Sequence, residues 1–266
     1  SGELIINWSY SKLHFEEETI SKLIENYQTI LEKLITHCIE QKKTGMIFTP
    51  SDYGLGNEIS FEELDRFLNE SLKDGLRKDL IDGIYRLSGL QKGMLFHGMY
   101  DGKAGAYIEQ LSCDIENPDM EIIQQSWSYV LSRHSILRSG FYYDEFSIPV
   151  QCVYKNAEIP VTIIDYRNFN KERQLAEVKK YVEADRLKGF DFKSYPLMRI
   201  VLVRLSEDNY KMLWTWHHIL FDGWSMPILM EEFLTTYEMI ASGNKLDEKE
   251  EDRFEDYIRY LEREDA

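Results

Sequence analysis

The sequence predicts a mixed α/β or α+β layer sandwich, and three observations carry that reading. Apolar residues recur at spacings of three and four in long stretches, which marks helix faces. Shorter runs rich in Val, Ile, Leu and aromatic residues are interspersed with them, which marks strands. Strands and helices in this mixed order bury their apolar faces by stacking as layers. The chain's 266 residues are enough for a substantial core, as one large domain or two modest ones. Its composition, 43% hydrophobic and 13% aromatic, is that of a folded protein.

Taken in order, residues 3–9 (ELIINWS) read as a short strand. Residues 16–41 place Ile20, Leu23, Ile24, Tyr27, Ile30, Leu31, Leu34, Ile35 and Cys38 on one face of a long helix. Glu16, Glu17 and Glu18 at its start, and Lys42 and Lys43 at its end, suit the helix dipole. Thr49-Pro50-Ser51-Asp52 is turn chemistry. Ser60 and Glu63 have the spacing of a capping box that opens a short helix through Leu68. Residues 69–82 are polar and read as a partly helical linker. A helix is then expected over 88–100, a strand near 107–115, and a helix over 118–133 with Pro118 in its first turn. Strands come next near 139–143, 150–154 and 161–165, then a charged helix over 171–188. Residues 197–205 and 210–216 suggest a hairpin across Ser206-Glu207-Asp208-Asn209. Helices over 226–241 and 252–263 complete the chain.

Composition removes several classes of function. A formal charge of −16 repels phosphate backbones, and the mixed run 171–188 alternates in sign as a solvated helix face does, so nucleic acid is not an expected partner. Cys38, Cys113 and Cys152 lie far apart without a CxxC spacing, so they are expected as buried free thiols in a reducing compartment rather than as disulfides or a zinc site. No run approaches the roughly 18 apolar residues of a membrane span. No signal peptide opens the chain, and the cytoplasm is the expected location. There is no GxxxxGKS/T, GxGxxG or HExxH pattern, so the chain itself calls for no cofactor or metal.

The chemistry concentrates in Trp216-His217-His218-Ile219-Leu220-Phe221-Asp222-Gly223-Trp224-Ser225. Two adjacent histidines end a strand-like apolar run, and histidine is the side chain whose ordinary pKa suits proton transfer near neutrality. Asp222 reads as buried, a residue that locks the loop through an ion pair. Gly223 would permit a backbone turn that a larger residue resists.

This run resembles the HHxxxDG signature of condensation domains of nonribosomal peptide synthetases, with His217, His218, Asp222 and Gly223 at the fixed positions. Residues 87–97 (LSGLQKGMLFH) look like that family's opening motif, residues 132–141 (SRHSILRSGF) like its RHxxLRxxF motif, and Pro196-Leu197-Met198-Arg199 like a further block. The motifs stand in the family's order, from about Ile84 onward. The resemblance implies a chloramphenicol-acetyltransferase-like N-terminal lobe over 84–266, with the C-terminal lobe outside this chain. Residues 1–66 resemble the C-terminal end of an epimerization domain through Asn7-Trp8-Ser9-Tyr10-Ser11, Glu18-Thr19-Ile20, His37-Cys38 and Thr49-Pro50-Ser51-Asp52; residues 67–83 would then be a linker. Gly93-Met94-Leu95-Phe96-His97 and Phe221-Asp222-Gly223-Trp224-Ser225 look like the subtype that joins a D-configured donor to an L-acceptor.

The activity so implied is amide formation. An acceptor amine attacks a donor thioester, both carried on the phosphopantetheine arms of upstream and downstream peptidyl carrier domains, among neighbouring synthetase domains. His218 would be the functional histidine, as general base or as the group that positions the amine, and His217 would be structural. Asp222 would pair with Arg138, or failing that Arg133, and breaking such a buried pair costs about 3–5 kcal/mol. Gly223 would lend freedom or an amide near the reacting carbonyl. Trp224 and Ser225 would wall the pocket, unless Trp224 is plain core. His97 and His134 would be structural, and Met94, Leu95 and Phe96 core. A lone lobe would be inactive. The competing readings are a non-catalytic linking or docking module, an epimerization-domain lobe, and a stand-alone acyltransferase using coenzyme A thioesters.

Overall fold

The computed structural model describes residues 4–44, 47–71, 78–100, 105–246 and 250–264. The chain divides into two compact units, residues 1–48 and 49–266.

The first unit is built on one helix, α1 (Glu17–Thr44), with Glu17 and Glu18 in its first turn. Residues 4–10 run ahead of it without joining a strand, so the strand expected over 3–9 is not formed across its described part. Their apolar content goes instead to a local contact: Trp8 meets Tyr27 edge-on, ring centroids 5.3 Å apart. Cys38 is exposed on α1, contrary to the expectation of a buried thiol.

In the second unit the Ser60 capping box forms as expected. The Glu63 amide donates to Ser60 Oγ at 3.1 Å and the Ser60 amide to Glu63 Oε2 at 2.7 Å, opening α2 (Phe61–Arg66), which continues as a π turn over Phe67–Ser71. This stretch packs against later parts of the second unit. Phe67 sits edge-on to Tyr142, centroids 4.7 Å apart, and Ser147 binds Glu63. The break between compact units falls at 48/49, inside the segment 1–66 that the resemblance groups together. Of the linker expected over 69–82, residues 72–77 lie outside the described residues, and its end is ordered into a 3-10 turn (Lys78–Leu80) and the first strand.

Two sheets make up the rest of the unit with their helices. The smaller has the order β1-β4-β3, all antiparallel, from β1 (Ile81–Arg86), β3 (Ser139–Tyr142) and β4 (Val150–Tyr154). The larger has the order β2-β7-β6-β5, from β2 (Ile108–Glu116), β5 (Val161–Asp165), β6 (Met198–Arg204) and β7 (Asn209–His217). β6 and β7 are the expected antiparallel hairpin, and β5 joins β6 in parallel. The alternation of a strand decides the layers. Ile200, Leu202, Met212, Trp214 and Trp216 face one core, shared with α4 (Met120–Arg133) and α6 (Ser225–Ala241). Val201, Val203 and Leu213 face the other, shared with α5 (Lys171–Lys188). Helices thus cover both faces of the larger sheet, a mixed α/β sandwich.

α3 (Gly89–Tyr100) and α7 (Phe254–Glu264) complete the unit. Two expectations shift in detail. Asp119 caps α4 by accepting from the amides of Glu121 and Ile122, so Pro118 lies before the cap and not in the first turn. Met94 and Leu95 are core, but Phe96 is exposed.

Candidate functional site

β7 delivers the histidine pair to the end of the larger sheet, where strand pairing stops and side chains take over the backbone's hydrogen bonds. His217 is the last strand residue and is buried against Phe192 and Tyr107. Its Nδ1 accepts the Ile219 amide at 3.0 Å, so the ring is neutral with its proton on Nε2. Burial, and then the neighbouring His218, pull its pKa down to about 4.

His218 has the complementary tautomer. Its Nδ1 lies 2.9 Å from the Phe221 carbonyl, which can only accept, so Nδ1 carries the proton. That leaves the Nε2 lone pair, which has no protein partner among the described residues. The backbone is fixed as well, with the His218 amide donating to the Tyr107 carbonyl at 2.8 Å. The two adjacent rings are thus locked in opposite tautomers by opposite bonds.

His218 lines a cavity of about 440 Å³. One wall comes from α3 (Leu90, Gln91, Met94), another from the start of α6 (Ser225, Ile228, Leu229), and a third from the second motif and α7 (His134, Ile136, Phe254, Tyr257). The lining is mainly apolar, with Asp222 and Asp252 as its carboxylates. Such a lining takes up apolar groups while a few polar groups set orientation.

Asp222 is exposed and makes no ion pair among the described residues, which overturns the expected pairing with Arg138 or Arg133. Its Oδ1 accepts the Ser225 amide at 2.9 Å, Ser225 Oγ at 2.9 Å and the Trp224 amide at 3.1 Å, so it stitches the loop to the start of α6. The Ser225 amide is the main reason its carboxyl is held below the usual range, followed by the Ser225 hydroxyl and the Trp224 amide. Arg138 instead pairs with Glu251, with Asp82 at 3.8 Å, and Arg133 pairs with Glu232. His134 bridges Glu232 at 2.6 Å and Asp252 at 3.4 Å. The second motif is therefore a clasp on α6 and on the segment leading into α7.

Gly223 does not use the freedom expected of it. Its φ is not positive, and a Cβ added there meets nothing within 4 Å. Trp224 is 89% exposed and is neither core nor a wall of this cavity, whereas Ser225 lines it. The structure thus brings His218, Asp222 and Ser225 together at the cavity, with His217 behind them. Gly223 and Trp224 lie outside its lining, and Arg133 and Arg138 serve the clasp.

Two residues that residue patterns did not single out complete the picture. Gln91 and Gln151 are both buried, and Gln91 Nε2 reaches the Ile219 carbonyl at 3.3 Å. The available signal was local: Ser88 and Gln91 have capping-box spacing, and the box forms at the start of α3. Among the described residues no group of three His, Cys, Asp or Glu side chains could hold a metal, and no helix is long and apolar enough to cross a membrane.

A family model for the condensation domain matches residues 81–265. The chain belongs to the condensation-domain family. It is similar to bacitracin synthase 1 of Bacillus licheniformis, 36% identical over 268 residues, which is 100% of this chain and 5% of that protein. Against bacitracin synthase 3 of the same organism it is 36% identical over 264 residues, 99% of this chain and 4% of that protein. This condensation-family chain thus spans a small part of the length of the curated relatives it matches. Among solved structures it is similar to the EpoB cyclization-docking bidomain from Sorangium cellulosum, with a TM-score of 0.56 and 22% identity over 67% of this chain and 35% of that one. The first condensation domain of the calcium-dependent antibiotic synthetase, bound to a substrate analogue, gives a TM-score of 0.55 and 17% identity over 64% of this chain and 42% of that one. At these identities the likeness is one of fold, the chloramphenicol-acetyltransferase-like fold of condensation domains.

Proposed function

We propose that this chain is the His-bearing lobe of a condensation domain that forms peptide bonds within a nonribosomal peptide synthetase. The observation that carries the reading is the tautomer of His218: a proton held on Nδ1 by the Phe221 carbonyl leaves Nε2 as the acceptor at an apolar-walled cavity. Nε2 accepts an N–H of the acceptor's α-amine. The amine nitrogen attacks the donor thioester carbonyl, the C–N bond forms, the C–S bond breaks, and the carrier's thiol leaves. The proton lost by nitrogen passes to His218 Nε2 and on to the thiolate, so the ring ends as it began. Holding the two reactants in register at the cavity lowers the barrier further.

The substrates arrive on phosphopantetheine arms of the upstream and downstream peptidyl carrier domains, which belong to those partners and not to this chain. The finer reading is a D-configured donor and an L-acceptor, following an epimerization domain whose tail is residues 1–66, in a cytoplasmic assembly line. Alignment with the two bacitracin synthases over nearly the whole chain supports the junction, since the residues ahead of the condensation segment accompany it in both. The solved chains it resembles are more than twice as long as the part matched, which supports a need for further fold beyond this lobe.

The test is dipeptidyl-carrier formation followed by mass spectrometry in the synthetase that holds this chain, with D- and L-configured donors. The D-donor alone is expected to condense, His218→Ala to lower the rate by orders of magnitude, and the 266-residue chain by itself to give no product. Loaded carriers that yield no product with either donor would overturn the catalytic reading and favour the linking-module one.

A further inference from the structure

Ile219, the residue after His218, has both backbone polar groups held by side chains instead of by a strand or helix. Its amide donates to His217 Nδ1 at 3.0 Å, and its carbonyl accepts from Gln91 Nε2 at 3.3 Å. Its own side chain is 3% exposed. Gln91 is in turn held from the other side. The Ser88 amide donates to Gln91 Oε1 at 2.9 Å, and Gln151 Nε2 donates to the same oxygen at 3.2 Å while also reaching the Arg86 carbonyl at 2.9 Å. Oxygen to donors and nitrogen to an acceptor is the one amide orientation this network allows.

We propose that Gln91 is a positioning residue for His218, acting through the Ile219 carbonyl. This rests on the reading of His218 given above. The peptide chain from His217 to Phe221 carries three side-chain-to-backbone bonds: His217 to the Ile219 amide, Gln91 to the Ile219 carbonyl, and His218 to the Phe221 carbonyl. Two of them are internal to the loop. Of these three, Gln91 is the one that ties the loop to a separate element, across 128 positions of sequence, beside the backbone bond from the His218 amide to the Tyr107 carbonyl at 2.8 Å. The loop's bond from His218 Nδ1 to Phe221 depends on where the intervening Ile219 peptide lies. The Leu220 amide of the same peptide donates to the His217 carbonyl at 3.1 Å, so without Gln91 this peptide is held only from within the loop, the Phe221 carbonyl shifts relative to the ring, and the Nδ1–H tautomer loses its selection. Misplacement of about 1 Å at a reacting group costs on the order of 100-fold in rate.

The variant that removes the Gln91 donor is Gln91→Glu, which also removes the 3.5 Å contact from Gln91 Nε2 to Gln151 Oε1. Glutamate keeps the capping box with Ser88 and still accepts from Gln151, so α3 starts as before, but it cannot donate to Ile219 when ionised. The readout is the ring nitrogens of the six histidines in the full chain, labelled with 15N. The parent is expected to show His218 as a single neutral Nδ1–H tautomer. Gln91→Glu is expected to turn it into a mixture of tautomers while His97 and His134 keep their shifts, with kcat for condensation down on the order of 100-fold and KM unchanged. An unchanged His218 tautomer in a folded Gln91→Glu chain would overturn the proposal. Should that variant fail to fold, the parent decides: Gln91 side-chain amide protons must exchange far more slowly than those of exposed Gln124, and equal rates would overturn it. Failure of the functional reading shows separately, as full condensation activity in His218→Ala.

Discussion

Asp185 and Asp222 are both held below their ordinary pKa, for unlike reasons. Asp185, near the end of α5, is buried. Burial pushes its carboxyl up, but Arg199 at 2.7 Å, Thr215 at 2.7 Å and Gln110 at 3.1 Å together pull it down. Asp222, ahead of α6, is exposed and is held by the Ser225 amide and hydroxyl and by the Trp224 amide just before that helix. The first is an ion pair inside the protein, the second a cap at its surface. The loop-locking ion pair expected of the HHxxxDG aspartate thus has its counterpart elsewhere in this fold, on the Arg of the Pro-Leu-x-Arg block.

The comparison makes its largest prediction at the buried pair. Asp185→Ala leaves the Arg199 guanidinium buried without its partner, and is expected to cost about 3–5 kcal/mol in urea unfolding. A cost near 1 kcal/mol would mean that Asp185 too is only a local tie. Next is the acid range. His217 has its pKa lowered in the folded state to about 4 from about 6.5, so between those values the unfolded chain binds more protons. Stability from this residue is therefore full above about pH 6.5 and falls as the pH drops toward 4, by about 1–3 kcal/mol. A His217→Gln chain measured alongside should show a flatter profile.

Asp222→Ala is expected to cost only about 1 kcal/mol, as loss of a helix cap does. Because the folded carboxyl titrates below its unfolded value of about 3.9, that contribution is present above it and fades as pH falls through the lower folded value. The gap in Tm between the parent and Asp222→Ala should close in strong acid. A loss as large as that of Asp185→Ala would reveal a charged partner. Smallest is Gly223→Ala, expected within about 0.5 kcal/mol of the parent because its Cβ has room. Loss of condensation in that stable variant would place substrate against Gly223.

How far the chain alone could be read depended on the range of each signal. The strands over 150–154 and 161–165 and the helix over 171–188 stand where they were expected, because short β-branched and aromatic runs and long charged runs are written in neighbouring residues. The Ser60 box formed for the same reason. The apolar run at residues 4–10 failed as a strand, since a strand also needs an edge to pair with. Residue chemistry named His218, but pairings over long separations were beyond it. Arg138 found Glu251 across 113 positions, and Gln91 found Ile219 across 128. Trp224 illustrates the other limit: hydrophobicity alone does not say which side of a helix start faces out.

The three thiols form a graded series. Cys38 is exposed on α1, Cys113 is half-buried on β2 with its pKa raised by burial, and Cys152 is buried on β4 with its pKa pushed up to about 12. Since thiolate and access together set the rate of alkylation, a maleimide dye added briefly at neutral pH attaches to Cys38 first. The chain thereby carries a native handle for fluorescence within residues 1–48, with no cysteine added.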